Sequence, residues 1–441
     1  MADISDGAGD DVGGRDAARR MLAFIDASPS PFHACAEAAR LLETVGFRPL
    51  RELDAWPQGA GPFYVQRGGS LVAWVTGAQH RPTSGFRIVG AHTDSPNLRV
   101  KPHADSGRAG YRQLAVEVYG GALLNSWLDR DLGLSGRVVV RGSQGAEEHL
   151  LRVDRPLLRV PQLAIHLDRD ITAKGLLLNP QEHLSPIWGL GSPAPGAFAA
   201  FVAEQVDVDP RAIVAWDLMA HDLTPGCLAG VDGELVSAPR LDNLCSCWAG
   251  VEALMAAVAG GEPAQIPLLV LFDHEEVGST SDRGAASTLL PALTERIVMS
   301  LGGGREDVLR ALAASVCCSA DNAHATHPNY ADRHEPGHQI ALNGGPVLKV
   351  NANARYATDA ASAASFVEAC EQAGVPHQRY AHRSDLPCGS TIGPITAARL
   401  GIATFDVGAP QLAMHSAREL GGSADPAHYT AALGAFLVPG G

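Results

Sequence analysis

The residues best placed to do chemistry lie in one stretch, Phe272-Asp273-His274-Glu275-Glu276-Val277-Gly278-Ser279. It follows Ile266-Pro267-Leu268-Leu269-Val270-Leu271, a short aliphatic run that reads as a fully buried strand. Ligand sites gather at the carboxyl ends of strands in open α/β sheets. Neighbouring side chains leave such an end in different directions. The two glutamates can therefore take separate tasks, one as a metal ligand and one as a general base. Alone, such a pair is better read as a solvated acidic loop after a strand; the company it keeps decides otherwise.

Four other residues share its setting. The β-type run Phe86 to Gly90 feeds His92-Thr93-Asp94, where His92 and Asp94 share one face of an extended chain. At that spacing a carboxylate can sit behind a metal-bound imidazole and fix its tautomer; a loop salt bridge is the alternative. Asp242 opens the helical pattern Leu244 to Val258, where it serves as a helix cap or as a ligand. Asp321 follows a strand pattern at Ser315 to Ser319, beside His324, His327 and His334, which read mostly as loop residues. His415 follows the strand Ala403 to Val407 and a short loop. His92, Asp242, Glu276, Asp321 and His415 give two imidazoles and three carboxylates, a donor set that suits two divalent ions with one bridging carboxylate. Paired ions of this kind activate water and stabilise a developing oxyanion. The chemistry then requires one unligated base, and Glu275 is the candidate.

These residues need a scaffold, and its elements are readable. Arg15 to Ala27 and Pro31 to Val45 have helical spacing, separated by Ser28-Pro29-Ser30-Pro31. Short β-type runs follow at Pro62 to Gln66 and Ser70 to Val75. From Leu98 to Asp232 the pattern is β-rich, with runs at Leu114 to Tyr119, Gly136 to Arg141 and Leu163 to Leu167 and one helical pattern, Ala197 to Val206. Candidate residues lie on both sides of this stretch and almost none within it, so it reads as an inserted domain. Beyond it strands alternate with helices at Ala285 to Leu290, Glu306 to Ala313, Asp359 to Ala373 and up to Leu400. A last helix reaches Leu437 with Asp425 as its cap. The fold class is α/β: a mixed, mostly parallel sheet covered by helices. The expected organisation is a main domain at 15–97 and 233–441, a β-rich insert at 98–232, and a disordered acidic, Gly-rich tail from Met1 to Gly14.

The composition narrows the classes. A chain of 441 residues with 46% hydrophobic and 19% charged residues is that of an ordinary globular protein. A formal charge of −14 argues against a nucleic-acid partner. No apolar run is long enough to span a bilayer, and the N-terminus lacks the pattern of a signal peptide, so the cytosol is the expected location. Eight cysteines without paired C-x-x-C spacing read as reduced, mostly buried thiols.

Five ordered motifs, Gly90-Ala91-His92-Thr93-Asp94-Ser95-Pro96, Leu241-Asp242-Asn243, Asp273 to Ser279, Ser319-Ala320-Asp321 and Met414-His415-Ser416-Ala417-Arg418-Glu419, resemble the aspartyl aminopeptidase family of co-catalytic zinc exopeptidases. The likeness runs from Ser28-Pro29-Ser30-Pro31-Phe32-His33 to the last helix. It implies a zinc exopeptidase-like fold whose insert serves dimerisation, and hydrolysis of N-terminal Asp or Glu from peptides with Glu275 as the base. It implies two zinc ions per subunit, with cobalt or manganese as substitutes: one on His92, Asp242 and Glu276, the other on Asp242, Asp321 and His415. It also implies a cis peptide at Asp242-Asn243, Asp94 orienting His92, Lys349 receiving an acidic side chain, and Met414 in the substrate site. His166 would reach a neighbouring subunit's active site within a tetrahedral dodecamer. The competing readings are a related acylamino-acid hydrolase or carboxypeptidase, and a non-catalytic assembly protein.

Overall fold

The computed structural model describes residues 12–440 apart from 144, 261 and 262; the segment 1–11 of the expected tail lies outside the described residues. Strands follow the chain as β1 (Arg48–Pro49), β2 (Gly61–Arg67), β3 (Ser70–Thr76), β4 (Phe86–His92), β5 (Asn97–Arg108), β6 (Tyr111–Tyr119), β7 (Leu132–Gly142), β8 (Gly145–Leu158), β9 (Ile187–Leu190) and β10 (Ile213–Asp222). They continue as β11 (Cys227–Ala229), β12 (Leu235–Ala238), β13 (Ile266–Phe272), β14 (Val316–Ala320), β15 (Ala323–His324), β16 (Val347–Val350), β17 (Gln378–Ala381), β18 (Ala403–Gly408), β19 (Pro410–Leu412) and β20 (Glu419–Gly422).

The apolar run at Ile266 becomes β13, buried along its whole length, and it sits centrally in a nine-stranded sheet ordered β1-β2-β3-β13-β4-β14-β18-β16-β17. The pairs β1/β2, β13/β4, β4/β14, β14/β18 and β16/β17 are parallel, whereas β2/β3, β3/β13 and β18/β16 are antiparallel. The sheet is therefore mixed and mostly parallel. Alternation along β13 explains its continuous hydrophobicity. Leu269 and Leu271 join the core under helices Val12–Ala27, Pro31–Thr44, Leu241–Ala259 and Asp425–Leu437. Leu268, Val270 and Phe272 join the opposite core under Leu289–Ser300, Arg305–Ala313 and Ile392–Leu400. A strand covered on both faces needs apolar residues at every position, and each such side chain contributes roughly 1.5–3 kcal/mol on burial.

A second, antiparallel sheet, β8-β7-β10-β5-β6-β9, is built from Asn97–Asp222 around its own cluster that includes Leu98, Leu134, Phe198 and Leu218. A third sheet, β11-β12-β20-β19-β15, joins them; β11, inside the expected bounds of the insert, pairs with β12 there. Among the described residues no helix is long and apolar enough to cross a membrane. All eight cysteines are free thiols and six of them are buried.

Several local expectations are corrected. The first helix begins at Val12 and not at Arg15, since packing of Ala17, Ala18 and Met21 carries it through Gly13 and Gly14, so residues 12–14 are not part of a disordered tail. The helix expected from Ala285 starts at Leu289. The preceding segment folds back on itself, with Ala286 N donating to Ser279 O and Leu289 N to Ser287 Oγ. Leu163 to Leu167 is an exposed turn closed by Leu167 N on Ala164 O, because it finds no strand partner. Asp425 is the first residue of its helix and does not cap it. It accepts from Asn343 N at 2.7 Å and Gly345 N at 3.0 Å and so anchors a loop instead.

Candidate metal centre

Parallel neighbours end at the same edge, and this brings the candidates together. His92 closes β4 opposite Phe272, the last residue of β13; Glu275 and Glu276 occupy the 3-10 turn just beyond it; and Asp321 follows β14 directly. Asp242 enters from the start of the helix Leu241–Ala259, and His415 from the loop between β19 and β20. His92 Nε2 lies 3.4 Å from Asp242 Oδ1 and 3.8 Å from Asp321 Oδ1. His415 Nε2 lies 3.3 Å from Asp242 Oδ2 and 3.3 Å from Glu276 Oε1. Asp242 thus turns one oxygen to each imidazole.

This grouping differs from the partition implied by resemblance. His92 shares its donor cluster with Asp242 and Asp321, and His415 shares its own with Asp242 and Glu276; the donor atoms of each set lie within 4.8 Å of one another. The cause is local. Lys349 Nζ stands 3.7 Å from Asp321 Oδ2. Glu276, held by its backbone N–H on Asp94, turns its carboxylate to His415. A third set, His92 with Glu275 and Glu276, places Glu275 at the same centre.

Asp242 is not a helix cap. It and Asn243 have non-helical backbone angles, the Asp242-Asn243 peptide is cis, and the cap position falls to Arg240 without a side-chain bond. Asp242 O accepts from Ser95 Oγ at 2.6 Å, and Asn243 Nδ2 donates to Ala320 O at 2.8 Å. Both imidazoles are oriented by main-chain carbonyls, which only accept: His92 Nδ1 faces Asp94 O at 3.0 Å and His415 Nδ1 faces Gly121 O at 3.1 Å. Each Nδ1 therefore carries a proton, and Nε2 is the nitrogen each ring turns to the carboxylates.

The electrostatics call for cations. Burial, with Asp321, Asp94 and Asp242 around it and His92 opposing, pushes the Glu275 carboxyl up to about 8. Burial raises Glu276 too, with Asp242 adding to it. Burial disfavours charge on His415, but Asp242 and Glu276 outweigh it and raise that group to about 10. Asp242 Oδ1 and Glu276 Oε1 are buried without a hydrogen-bond partner. Unpaired carboxylate oxygens in a dry site are costly, and imidazole nitrogen with carboxylate oxygen is the donor chemistry of zinc. The residues present fit divalent ions at both sets.

The support around the centre includes residues whose sequence gave little sign of it. Asp94, wholly buried, accepts from Glu275 N and Glu276 N at 3.1 Å each and from Tyr119 Oη at 2.6 Å. Its carboxylate is 3.5 Å from His92 Nδ1, so its backbone carbonyl, and not its side chain, is the nearer partner of that ring. Glu419, 3% exposed, accepts from Asp242 N at 3.0 Å and His415 N at 2.7 Å. Burial, with Asp242 beside it, pushes Glu419 up to about 8. Tyr119 was visible only as a strand-end residue before a Gly pair, a place where close backbone approach is common. Asp273 takes Arg283 Nε at 2.9 Å and braces the turn from behind.

The remaining candidates lie outside the donor sets. Lys349 is 2% exposed and donates to Asp321 O at 2.7 Å and Asn322 O at 3.2 Å, with Tyr356 5.0 Å away. Met414 is half-buried beside His415. His166 lies in the exposed turn 163–167 of the stretch carrying the six-stranded sheet, among exposed Leu163, Ile165 and Leu167.

Fold and donor set together define a metallohydrolase of the zinc exopeptidase type. The chain belongs to the M18 family of aminopeptidases: the family described as Aminopeptidase I zinc metalloprotease (M18) matches residues 24–437. It is 58% identical over 417 residues to the "Probable M18 family aminopeptidase 2" of Mycobacterium leprae (strain TN), covering 94% of this chain and 96% of that one. Among solved structures it resembles one described as the Ape4 and Nbr1 complex, with a TM-score of 0.92, 36% identity, and coverage of 96% and 86% of the two chains. It also resembles the mApe1 dodecamer of S. cerevesiae, with a TM-score of 0.85, 27% identity, and coverage of 96% and 97%.

Proposed function

We propose that this aminopeptidase removes N-terminal Asp or Glu from peptides, with Glu275 as the proton shuttle beside a two-zinc centre. The observation that carries this reading is Glu275 itself: it belongs to the donor cluster, yet Asp242, Asp321 and Glu276 already supply a carboxylate to each imidazole. His92, Asp242 and Asp321 would hold one ion and His415, Asp242 and Glu276 the other, with cobalt or manganese as substitutes, and such ions supply Lewis acidity to water and carbonyl when bound. Glu275 accepts a proton from the attacking water at its carboxylate and returns it to the departing amine. Asp94 holds the backbone of Glu275 and Glu276, and the Nδ1 contacts of His92 and His415 keep each Nε2 aimed inward.

Lys349 is the cation assigned to an acidic substrate side chain, supported by its place beside Asp321, and Met414, next to His415 in the chain, is assigned to the substrate site. Two of the three ammonium hydrogens of Lys349 are engaged by carbonyls, which leaves one for a substrate. We take residues 15–97 and 233–441 as the catalytic domain and 98–232 as an oligomerisation insert. The working protein is then a cytoplasmic homo-oligomer, a tetrahedral dodecamer, in which His166 reaches a neighbour's site. Exposed Leu163, Ile165 and Leu167 beside it agree with a covered surface.

The test is a panel of Asp-, Glu-, Leu- and N-acyl-amino-acid substrates on wild type, Glu275→Gln and Lys349→Ala, with metal content measured. The reading expects Glu275→Gln to keep its metal and lose ~100- to 10,000-fold in turnover, and Lys349→Ala to lose acidic substrates selectively. Unchanged preference in Lys349→Ala removes it from the pocket, and preferred cleavage of N-acyl substrates by wild type replaces the aminopeptidase reading.

A further inference from the structure

β6 belongs to the six-stranded sheet, yet its last residue reaches the centre at the edge of the nine-stranded one. Tyr119 is buried, with the Arg99 guanidinium 3.7 Å above its ring. Its hydroxyl donates to Asp94 Oδ2, the same oxygen that takes Glu276 N, while Oδ1 takes Glu275 N. The next residue, Gly120, has φ +71°, and a Cβ there would stand 3.1 Å from Glu276 Cβ. Gly121 follows, with its carbonyl on His415 Nδ1, and a Cβ there would meet that nitrogen at 3.2 Å. One short segment thus touches Asp94, Glu276 and His415, which come from three different parts of the chain.

We infer that Tyr119-Gly120-Gly121 is a positioning element for the hydrolytic reaction, with Tyr119 setting the place of Glu275 through Asp94. This rests on the reading of Glu275 as the proton shuttle. The physical route is short. Asp94 Oδ2 is shared between a phenol and one amide; without the phenol the carboxylate is free to rotate toward His92 Nδ1, 3.5 Å from Oδ1. Both turn amides follow it. Gly121 acts on the other side of the centre, where its carbonyl fixes the protonated nitrogen of His415.

Tyr119→Phe removes only the hydroxyl and keeps the ring under Arg99. The expected result is a kcat lower by about 10- to 100-fold, the usual effect of losing a partner outside the ligand shell, with KM within about twofold and metal per chain unchanged. The decisive comparison is the Tyr119→Phe/Glu275→Gln double variant. If Tyr119 acts through Glu275, the second substitution adds almost nothing to the loss caused by Glu275→Gln, since groups that act as a unit are strongly non-additive. Wild-type kcat in Tyr119→Phe overturns the inference, as does a full multiplicative loss in the double variant. A lowered Tm with unchanged kcat per folded chain also overturns it and assigns Tyr119 to packing. Near-wild-type turnover of Glu275→Gln overturns the base assignment instead, a separate outcome read from the single variant alone.

Discussion

Replacing Glu419 by Gln probes how the centre is held. Its Oε2 accepts from Asp242 N and its Oε1 from His415 N, so one carboxylate fixes the backbone of the shared aspartate and of one histidine. Gln keeps the shape but turns one oxygen into an NH2, so one of the two N–H groups then faces a donor. A buried donor left unpaired costs about 1–3 kcal/mol. At about 1.4 kcal/mol per decade, that corresponds to a metal affinity lower by roughly 5- to 150-fold. The assay is metal retained per chain after equilibration in graded zinc buffers, with circular dichroism as the control for folding. A folded Glu419→Gln protein that holds zinc within about twofold of wild type refutes the reasoning, because it makes the two hydrogen bonds incidental to the ligands they support.

Gly408→Ala is expected to release metal and destabilise the chain, since a Cβ at Gly408 would stand 1.9 Å from Asp321 O and must displace that ligand. Zinc content and the urea midpoint check it, against a typical overpacking cost of about 1–3 kcal/mol. Chelation should lower Tm, because it leaves buried carboxylates facing one another; an unchanged Tm after verified metal removal contradicts this. His33 gives a pH dependence. Burial, with Arg152 nearby, lowers its pKa from 6.5 to about 4. The unfolded chain therefore binds this proton first as pH falls. The stability contribution is complete above about 6.5 and is lost as pH drops through about 4, in all about 3 kcal/mol at roughly 1.4 kcal/mol per pH unit. Urea midpoints of wild type and His33→Gln should converge in slope above pH 6.5 and diverge below it; identical slopes from pH 6.5 to 4 count against the assignment.

The strand ends were legible in the sequence because the physics there is blunt. An aliphatic run that must be buried on both faces stops at Phe272, and charged residues begin at once. The same reasoning located His92 and Asp321. Asp242 was ambiguous because an aspartate opening a helix carries the same signature whether it caps or ligates; only the non-helical backbone and the two imidazoles separate the readings. The pairing of ligands was not legible. It depends on which carboxylate oxygen faces which ring, and those contacts join residues far apart in sequence, His92 with Asp242 and Asp321, and His415 with Glu276. Tyr119 was hidden for a related reason, since a tyrosine ending a strand is common and its partner Asp94 is 25 residues earlier. Leu163 to Leu167 misled in the opposite direction: its apolar run read as one of the β-type runs, but a strand exists only where a neighbour offers a ladder, and this one has none.

The central claim is a division of labour among four carboxylates, with Asp242 shared, Asp321 and Glu276 on opposite sides, and Glu275 left free. Anomalous diffraction at the zinc edge from crystals of the Glu275→Gln protein tests it most directly. The account predicts two zinc peaks per chain, one among His92, Asp242 and Asp321 and the other among His415, Asp242 and Glu276. A single peak, or a peak that takes residue 275 as a ligand and vanishes on its substitution, contradicts it.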